Sequence, residues 1–435
     1  MDNVHPSLET LARWLAGELE HEEVLREVAP HLVASCPVCQ RLRDEIRRLQ
    51  AESGHWNEVV AVLETREAPA LAAALEERTH EERMRLAAED EALHTWGLCR
   101  YFLRASREAI FQDPAHAVDL ARLAVRLSAH LSEAYHSDWI RDLRARAYAQ
   151  LGNAQRVLGE LKGAEHASLR AEECLDASGT GDLSLRAEVF GLKASLRLDQ
   201  RRFEEAGDLL DRSLALFREV KDVHGAAKAL LKKARLLYVQ EDFQQAISLL
   251  RQSEPEIEQA GDIHLSARTR QNLLTYLTLA GRHEEADQLL PELRSLFRDI
   301  AEPLDWIKLR WAEASIAQGL GRPAEAETLY REVRSDFLSL EKGYDAALVS
   351  LDLAALLAEQ GRFAELKPLA AEIVAAFGAR GVDREALASL LLFQQACTEE
   401  RVTLEMIRGL AVDLRRSRPG LRRGETLQMS SGSSE

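Results

Sequence analysis

The sequence predicts an all-α protein built mainly of stacked helix pairs, and three observations carry that expectation. Ala, Leu, Glu and Arg dominate the 435 residues, while Gly (23) and Pro (11) are scarce, a composition that favours helix interiors. A short motif returns every 40 residues: RRFEEA at 201, EDFQQA at 241, GRHEEA at 281, GRPAEA at 321 and GRFAEL at 361. Between its copies lie amphipathic helical stretches, such as FEEAGDLLDRSLALFREV (203–220) and AAKALLKKARLLYVQ (226–240).

The period gives each motif position a structural task. Phe203, Phe243, His283, Pro323 and Phe363 share one register position, and Ala206, Ala246, Ala286, Ala326 and Leu366 share another, three residues on. A small residue there lets the second helix of a pair press against the first, and the Gly or short polar residue before it makes the turn. Each pair leaves an apolar face uncovered until the next pair stacks on it, so the units form a solenoid. The Gly–Arg turn followed by Phe-x-x-Ala resembles the tetratricopeptide repeat, in a 40-residue form. The resemblance implies a right-handed superhelical α-solenoid in which the first helix of each pair lines the concave face.

The flanking pairs are less regular. Residues 145–178 read as a helix pair with Leu161 and Ala164 in the anchor positions, and the loop SGTGD (178–182) absorbs a two-residue shift. Residues 93–131 read as the first pair, and 382–417 as a terminal pair that caps the stack, so the solenoid is expected over 93–417. Residues 51–92 are helical and highly charged, with Pro69 breaking the run, and read as a connector. The Arg-rich, then Ser/Gly-rich stretch 418–435 reads as a disordered tail.

Residues 1–50 do not follow the repeat. They read as short helices around HLVASCPVCQ (31–40), which holds two of the five cysteines. Cys36 and Cys39 form a Cys-x-x-Cys claw suited to tetrahedral zinc, and so small a core gains from a metal staple. A dithiol redox pair and two inert helix thiols are the alternatives; no strand pattern precedes the cysteines, as a thioredoxin-like redox site would require. The stretch HPSLETLARWLAGELEHEEVLREVAPHLVASCPVCQRL (5–42) resembles the zinc-binding domain of bacterial anti-sigma factors. Leu15-Ala16-Gly17-Glu18-Leu19 matches that family's turn. The resemblance implies that His5, His31, Cys36 and Cys39 hold Zn²⁺, and that the domain binds a sigma factor. One departure is the His-x4-Cys spacing: residues five apart on a helix are turned about 140° from each other. His31 and Cys36 can share an ion only if the helix ends between them, which Pro37 favours. His21 is the alternative fourth ligand. Cys99, Cys174 and Cys397 stand alone in helical patterns and read as small packing or surface residues, and His283 as a packing residue at a repeat turn.

A net charge of −16 argues against binding nucleic acid or anionic membranes through bulk charge. The chain has no apolar run of membrane-spanning length and no basic, apolar leader, and its cysteines are sparse, which together predict a cytoplasmic protein. No phosphate loop, Gly-x-Ser-x-Gly or His-Glu-x-x-His occurs, so no enzyme activity is expected. Within this acidic chain one basic series keeps the period: Lys228, Arg268 and Lys308 on successive first helices, with Lys232, Arg235 and Asn272 on nearby turns. Such a ladder suits an acidic peptide or a carboxylate terminus, although soluble groove lining would produce the same pattern. The expected function is regulatory binding: an anti-sigma-like protein with a partner-sensing solenoid. The alternatives are a tetratricopeptide scaffold with a general interaction module, or a thiol redox sensor using Cys36 and Cys39.

The zinc expectation has a direct check. The purified chain should carry about one equivalent of Zn²⁺, which Cys36→Ser should remove and His5→Ala weaken. Metal analysis finding no zinc in the wild-type protein would refute it.

Overall fold

The computed structural model describes residues 56–131, 135, 137–176, 181–340, 342–378, 384–399 and 401–417, together with Pro6, Thr10, Trp14, Val24, Val28 and Ala29. The candidate zinc ligands His5, His31, Cys36 and Cys39, the alternative His21 and the tail 418–435 lie outside the described residues. Among those described there are eighteen α-helices and no strand, so the all-α expectation holds. The chain divides into two compact units, Met1–Leu185 and Arg186–Glu435.

The first unit holds α1 (Trp56–Glu76), α2 (His80–Glu89), a 3₁₀ turn (Glu91–Leu93), α3 (Trp96–Ala109), α4 (Pro114–Ala129), α5 (Ser137–Leu158) and α6 (Leu161–Asp176). Its starts are capped by the residues that chemistry favours. Thr79 and Glu82 form a reciprocal capping box, Thr95 accepts from Leu98 N–H, and Asp113 accepts from His116 N–H ahead of Pro114. One expectation is corrected here: Pro69 does not break the helix, because α1 runs through it to Glu76. Ala68, Ala72 and Leu75 on either side of it are buried with Leu98, Phe102 and Leu120, and that burial offsets the lost backbone hydrogen bond. Gly97 lets α1 lie directly on the start of α3, since a Cβ there would sit 2.3 Å from the Glu64 carbonyl carbon. The buried Glu64 carboxylate accepts from Gly97 N–H at 3.1 Å and from the Tyr135 hydroxyl.

The second unit is a run of helix pairs. α7 (Leu183–Asp199), most of which belongs here, pairs with α8 (Phe203–Glu219), α9 (Val223–Val239) with α10 (Phe243–Gln259), and α11 (Ile263–Leu279) with α12 (His283–Ile300). α13 (Pro303–Gly319) pairs with α14 (Pro323–Ser339), and α15 (Gly343–Glu359) with α16 (Leu366–Gly378) after a 3₁₀ turn at Phe363–Glu365. α17 (Arg384–Thr398) and α18 (Leu404–Ser417) follow, and Leu390, Phe393, Ile407 and Leu410 share one core with Leu353 and Leu357 of α15. Ala206, Ala246, Ala286, Ala326 and Leu366 are all fully buried, as the packing role of that register requires.

The turns reveal a finer ruler than the motif. Arg201, Glu241, Gly281, Gly321 and Gly361 all have positive φ, and so do Lys221 and Gly261, twenty residues out of phase. At each of the turns ending α7 to α11, and again after α13 and α15, a left-handed residue closes the helix. At all of these turns but that after α10, the next N–H reaches back five residues, as Arg202 does to Arg197 O (2.8 Å), Asp222 to Phe217 O (2.8 Å) and Arg282 to Leu277 O (2.9 Å). The basic unit is thus a 17-residue helix plus a three-residue turn. The Arg after the turn residue ties the pairs together. Arg282 binds Glu285 of its own helix and Gln244 of the preceding pair; Arg362 likewise binds Glu365 and Glu327.

A left-handed conformation strains a residue with a Cβ, so the non-glycine turns leave stability unclaimed. Lys221→Gly should stabilise the protein by about 0.5–1 kcal/mol, the left-handed penalty less glycine's entropy cost. Chemical denaturation checks this, and a loss of stability would contradict the turn analysis.

Candidate partner-binding face

In the second unit α9 touches α11, α11 touches α13 and α13 touches α15, while among the described residues successive second helices make no contact of that extent. The first helices therefore form the closer-packed layer. Side chains stitch it: Lys232 Nζ donates to Gly191 O at 2.9 Å, the Tyr238 and Tyr276 rings stack at 5.1 Å, and Trp311 Nε1 donates to Asp352 at 2.8 Å. Gly191 makes room for Lys232, because a Cβ there would stand 3.1 Å from Nζ.

The 40-residue offset brings Lys228, Arg268 and Lys308 to the same turn of α9, α11 and α13. Lys228 is exposed; Arg268 and Lys308 are half-buried. Arg235 is half-buried and lies close enough to Tyr276 to act on its hydroxyl electrostatically. Asn272, one turn after Arg268, is half-buried and makes no side-chain hydrogen bond among the described residues. In the register of the ladder, α15 carries Leu348, and one turn later Asp352 accepts from Trp311, so the basic series ends there.

Two arginines on α11 separate structural from available charge. Arg270 points to the second helices and is held by Glu292 (2.5 Å), Glu258 (3.1 Å) and Glu254 (3.7 Å). Arg268, two residues earlier, has no ion pair within 4.0 Å among the described residues, and its Nε is buried without a hydrogen-bond partner. Burial pulls its pKa below the ordinary arginine value, against the attraction of Asp262. Asp262 is otherwise engaged: it caps α11 by accepting from His264 and Leu265 N–H, and it faces His224 Nδ1 at 3.5 Å. Burial, and then Lys228, hold the His224 pKa below the usual histidine value, which keeps that ring mainly neutral near pH 7. A half-buried guanidinium without a carboxylate has an unmet need for an anion.

Sequence reasoning found the ladder because its members keep the period. It missed the Tyr238–Tyr276 stack, whose members are 38 residues apart, and it missed His224 and Asp262. A scan for aromatic or acidic residues slightly out of phase on adjacent first helices would have found them. Elsewhere, burial pushes the Cys99 thiol up to about 12 and that of Cys397 up to about 11, so both stay protonated. Among the described residues no group of three or more His, Cys, Asp or Glu side chains is arranged to hold a metal ion. No described helix is long and apolar enough to cross a membrane.

This architecture defines an α-solenoid of tetratricopeptide type. Residues 185–255 match the tetratricopeptide repeat family. Aspartyl phosphate phosphatase F from Bacillus subtilis is similar in structure (TM-score 0.51, 14% identity), over 86% of this chain and 96% of its own. A signal-transduction ATPase with numerous domains from Pyrococcus horikoshii, which carries a tetratricopeptide repeat sensor, aligns over 89% of this chain and 54% of its own (TM-score 0.49, 14% identity). A Rap protein complexed with competence and sporulation factor aligns over 80% of this chain and all of its own (TM-score 0.43, 14% identity). At 14% identity the likeness to aspartyl phosphate phosphatase F bears on fold alone. Comparison with curated proteins finds no match.

Proposed function

We propose that this protein is a regulatory binding protein whose solenoid captures an acidic segment of a partner protein along Lys228, Arg268 and Lys308. The observation that carries the reading is Arg268, a half-buried cation with no ion pair among the described residues, in a unit where Arg270 beside it has three carboxylates. Lys232, Arg235 and Asn272 extend the same face and would orient the bound chain. The surrounding protein is acidic, so a basic strip of this kind selects acidic partners by contrast with its own rim.

The N-terminal segment supplies the finer part of the proposal. Its His5, His31, Cys36 and Cys39 pattern supports a zinc-binding, anti-sigma-type domain that would bind a sigma factor and so regulate transcription. The solenoid would then report the presence of its own ligand to that domain. The role proposed is binding rather than catalysis, and the cytoplasm, where sigma factors act, is the proposed location.

Affinity purification of the full chain from its native cell, with mass spectrometry of the co-purifying proteins, tests both halves. The wild type should bring down a partner with an acidic segment and a sigma factor. Arg268→Glu with Lys308→Glu should leave helicity unchanged and lose the first partner, costing about 2–5 kcal/mol where the ion pairs are desolvated. Cys36→Ser should lose the sigma factor. A double variant that recovers every partner at wild-type amounts would refute the basic strip. Absence of any sigma factor from the wild-type sample would leave the N-terminal segment a general interaction module.

A further inference from the structure

We propose that the second unit bends at one place, a hinge between α12 and α13, instead of flexing evenly along its repeats. The backbone is the first reason. After α8, α9, α11, α13, α14 and α15 an N–H donates five residues back and fastens the turn to the helix before it, as Asp222, Asp242, Arg282, Arg322, Lys342 and Arg362 do. α12 has no such closure. At 18 residues it is one longer than α11 and α13, Ala301 after it is extended (φ −83°, ψ 137°), and Glu302 N–H is taken by Asp305 Oδ2 at 3.1 Å, in the next helix. Among the described residues no backbone hydrogen bond spans the Ala301–Glu302 peptide, so the chain can turn there without breaking one. The turn after α10 also lacks the long bond, but there Arg270 of α11 holds both Glu254 and Glu258 of α10.

Packing marks the same place. Of neighbouring helices from α8 to α16, α12 and α13 touch least. The apolar core divides along α13: Leu309 and Ile316 belong with α9 to α12, whereas Ile307, Ala314 and Ala317 belong with the helices that follow. Ring contacts join α12 to α13 near either end of the pair. His283 lies on Gly319, where a Cβ would stand 2.3 Å from the ring, and Phe297 meets Trp306 edge to face at 5.7 Å. The buried His283 Nδ1 has no hydrogen-bond partner among the described residues, so that ring is seated but not tied. The two contacts form a line along the pair, about which α13 and the helices after it can roll.

The outer layer is weakest there too. Arg218 grips Glu256 with two donors between α8 and α10 (3.2 and 2.8 Å), and Arg251 reaches Glu285 at 2.5 Å between α10 and α12. Beyond α14, Arg362–Glu327, Arg331–Glu365 and Arg334–Glu372 all cross. Between α12 and α14 the one ion pair among the described residues is Arg322–Asp287, at 3.3 Å. Arg268 on α11 and Lys308 on α13 fall on opposite sides of the hinge, so its angle sets how they face each other. The hinge itself stands without the partner reading.

Hydrogen–deuterium exchange of the full-length protein, without ligand, tests the location. Peptides covering 295–308 should exchange about tenfold faster than those covering 215–228, the matching junction between α8 and α9. Arg322→Gln should quicken 295–308 by a further factor of about two to five, the range an exposed ion pair supplies, and raise the radius of gyration measured by small-angle X-ray scattering. Asp287→Arg with Arg322→Asp should restore both. Arg218→Gln should leave the radius of gyration unchanged. Equal exchange at the two junctions in the wild type would overturn the proposal. So would an Arg322→Gln variant that alters neither readout, or one that quickens every junction alike. Faster exchange at 295–308 with an unchanged radius of gyration would mean local fraying and would also overturn it.

Discussion

The left-handed residue that ends each helix from α7 to α11, and again α13 and α15, is the constraint on which the rest of the second unit depends. It closes the helix with a backbone bond five residues long and reverses the chain within three residues. Because that turn recurs with the same geometry, the helices between are mostly of one length, and a residue on one first helix has its counterpart at the same turn of the next. The buried alanine three residues into α8, α10, α12 and α14 sets how closely each of those pairs approaches. Arg282, Arg322 and Arg362 at the turns then tie their pairs to the preceding ones. A functional ladder needs no further device: any side chain repeated at 40 residues becomes a row across the first helices.

What that row contains differs from the rest of the molecule. Elsewhere in the second unit Arg270, Arg310 and Arg362 are neutralised by carboxylates. Arg268 is not, and its nearest carboxylate is committed to a helix cap and to His224. A desolvated charge kept without a partner lowers stability, and binding sites are where such a cost is tolerated. The first unit shows the opposite arrangement. There a buried carboxylate, Glu64, is met by Gly97 N–H and the Tyr135 hydroxyl, and it fastens α1 to the start of α3.

Much of this fold is legible in the sequence, because the 40-residue period, the small anchor and the Gly–Arg turn are local and repeat. The half-period is not legible. Arg201, Lys221 and Glu241 occupy left-handed positions without being glycine, so nothing in the letters marks them. Pro69 misleads because burial of its neighbours outweighs its local preference, which is a tertiary effect. The ladder itself could be read, but its energetic centre could not. Arg268 and Arg270 are the same residue type two positions apart in one helix, and only the placement of α10 and α12 shows which of them is neutralised. Nor does the sequence show that Lys232 spends a donor on the Gly191 carbonyl.

On the proposed function, Arg268 is held in the unliganded protein at a cost, for a partner's sake. The most direct measurement is the unfolding free energy of Arg268→Met beside that of Arg270→Met, both without ligand. Methionine keeps most of the side-chain volume and removes the charge. Arg268→Met should match or exceed the wild type, by up to about 1 kcal/mol, whereas Arg270→Met should lose stability because three carboxylates are left without their cation. A loss for Arg268→Met as large as that for Arg270→Met would mean that its charge is already satisfied within the fold, and the account would fall.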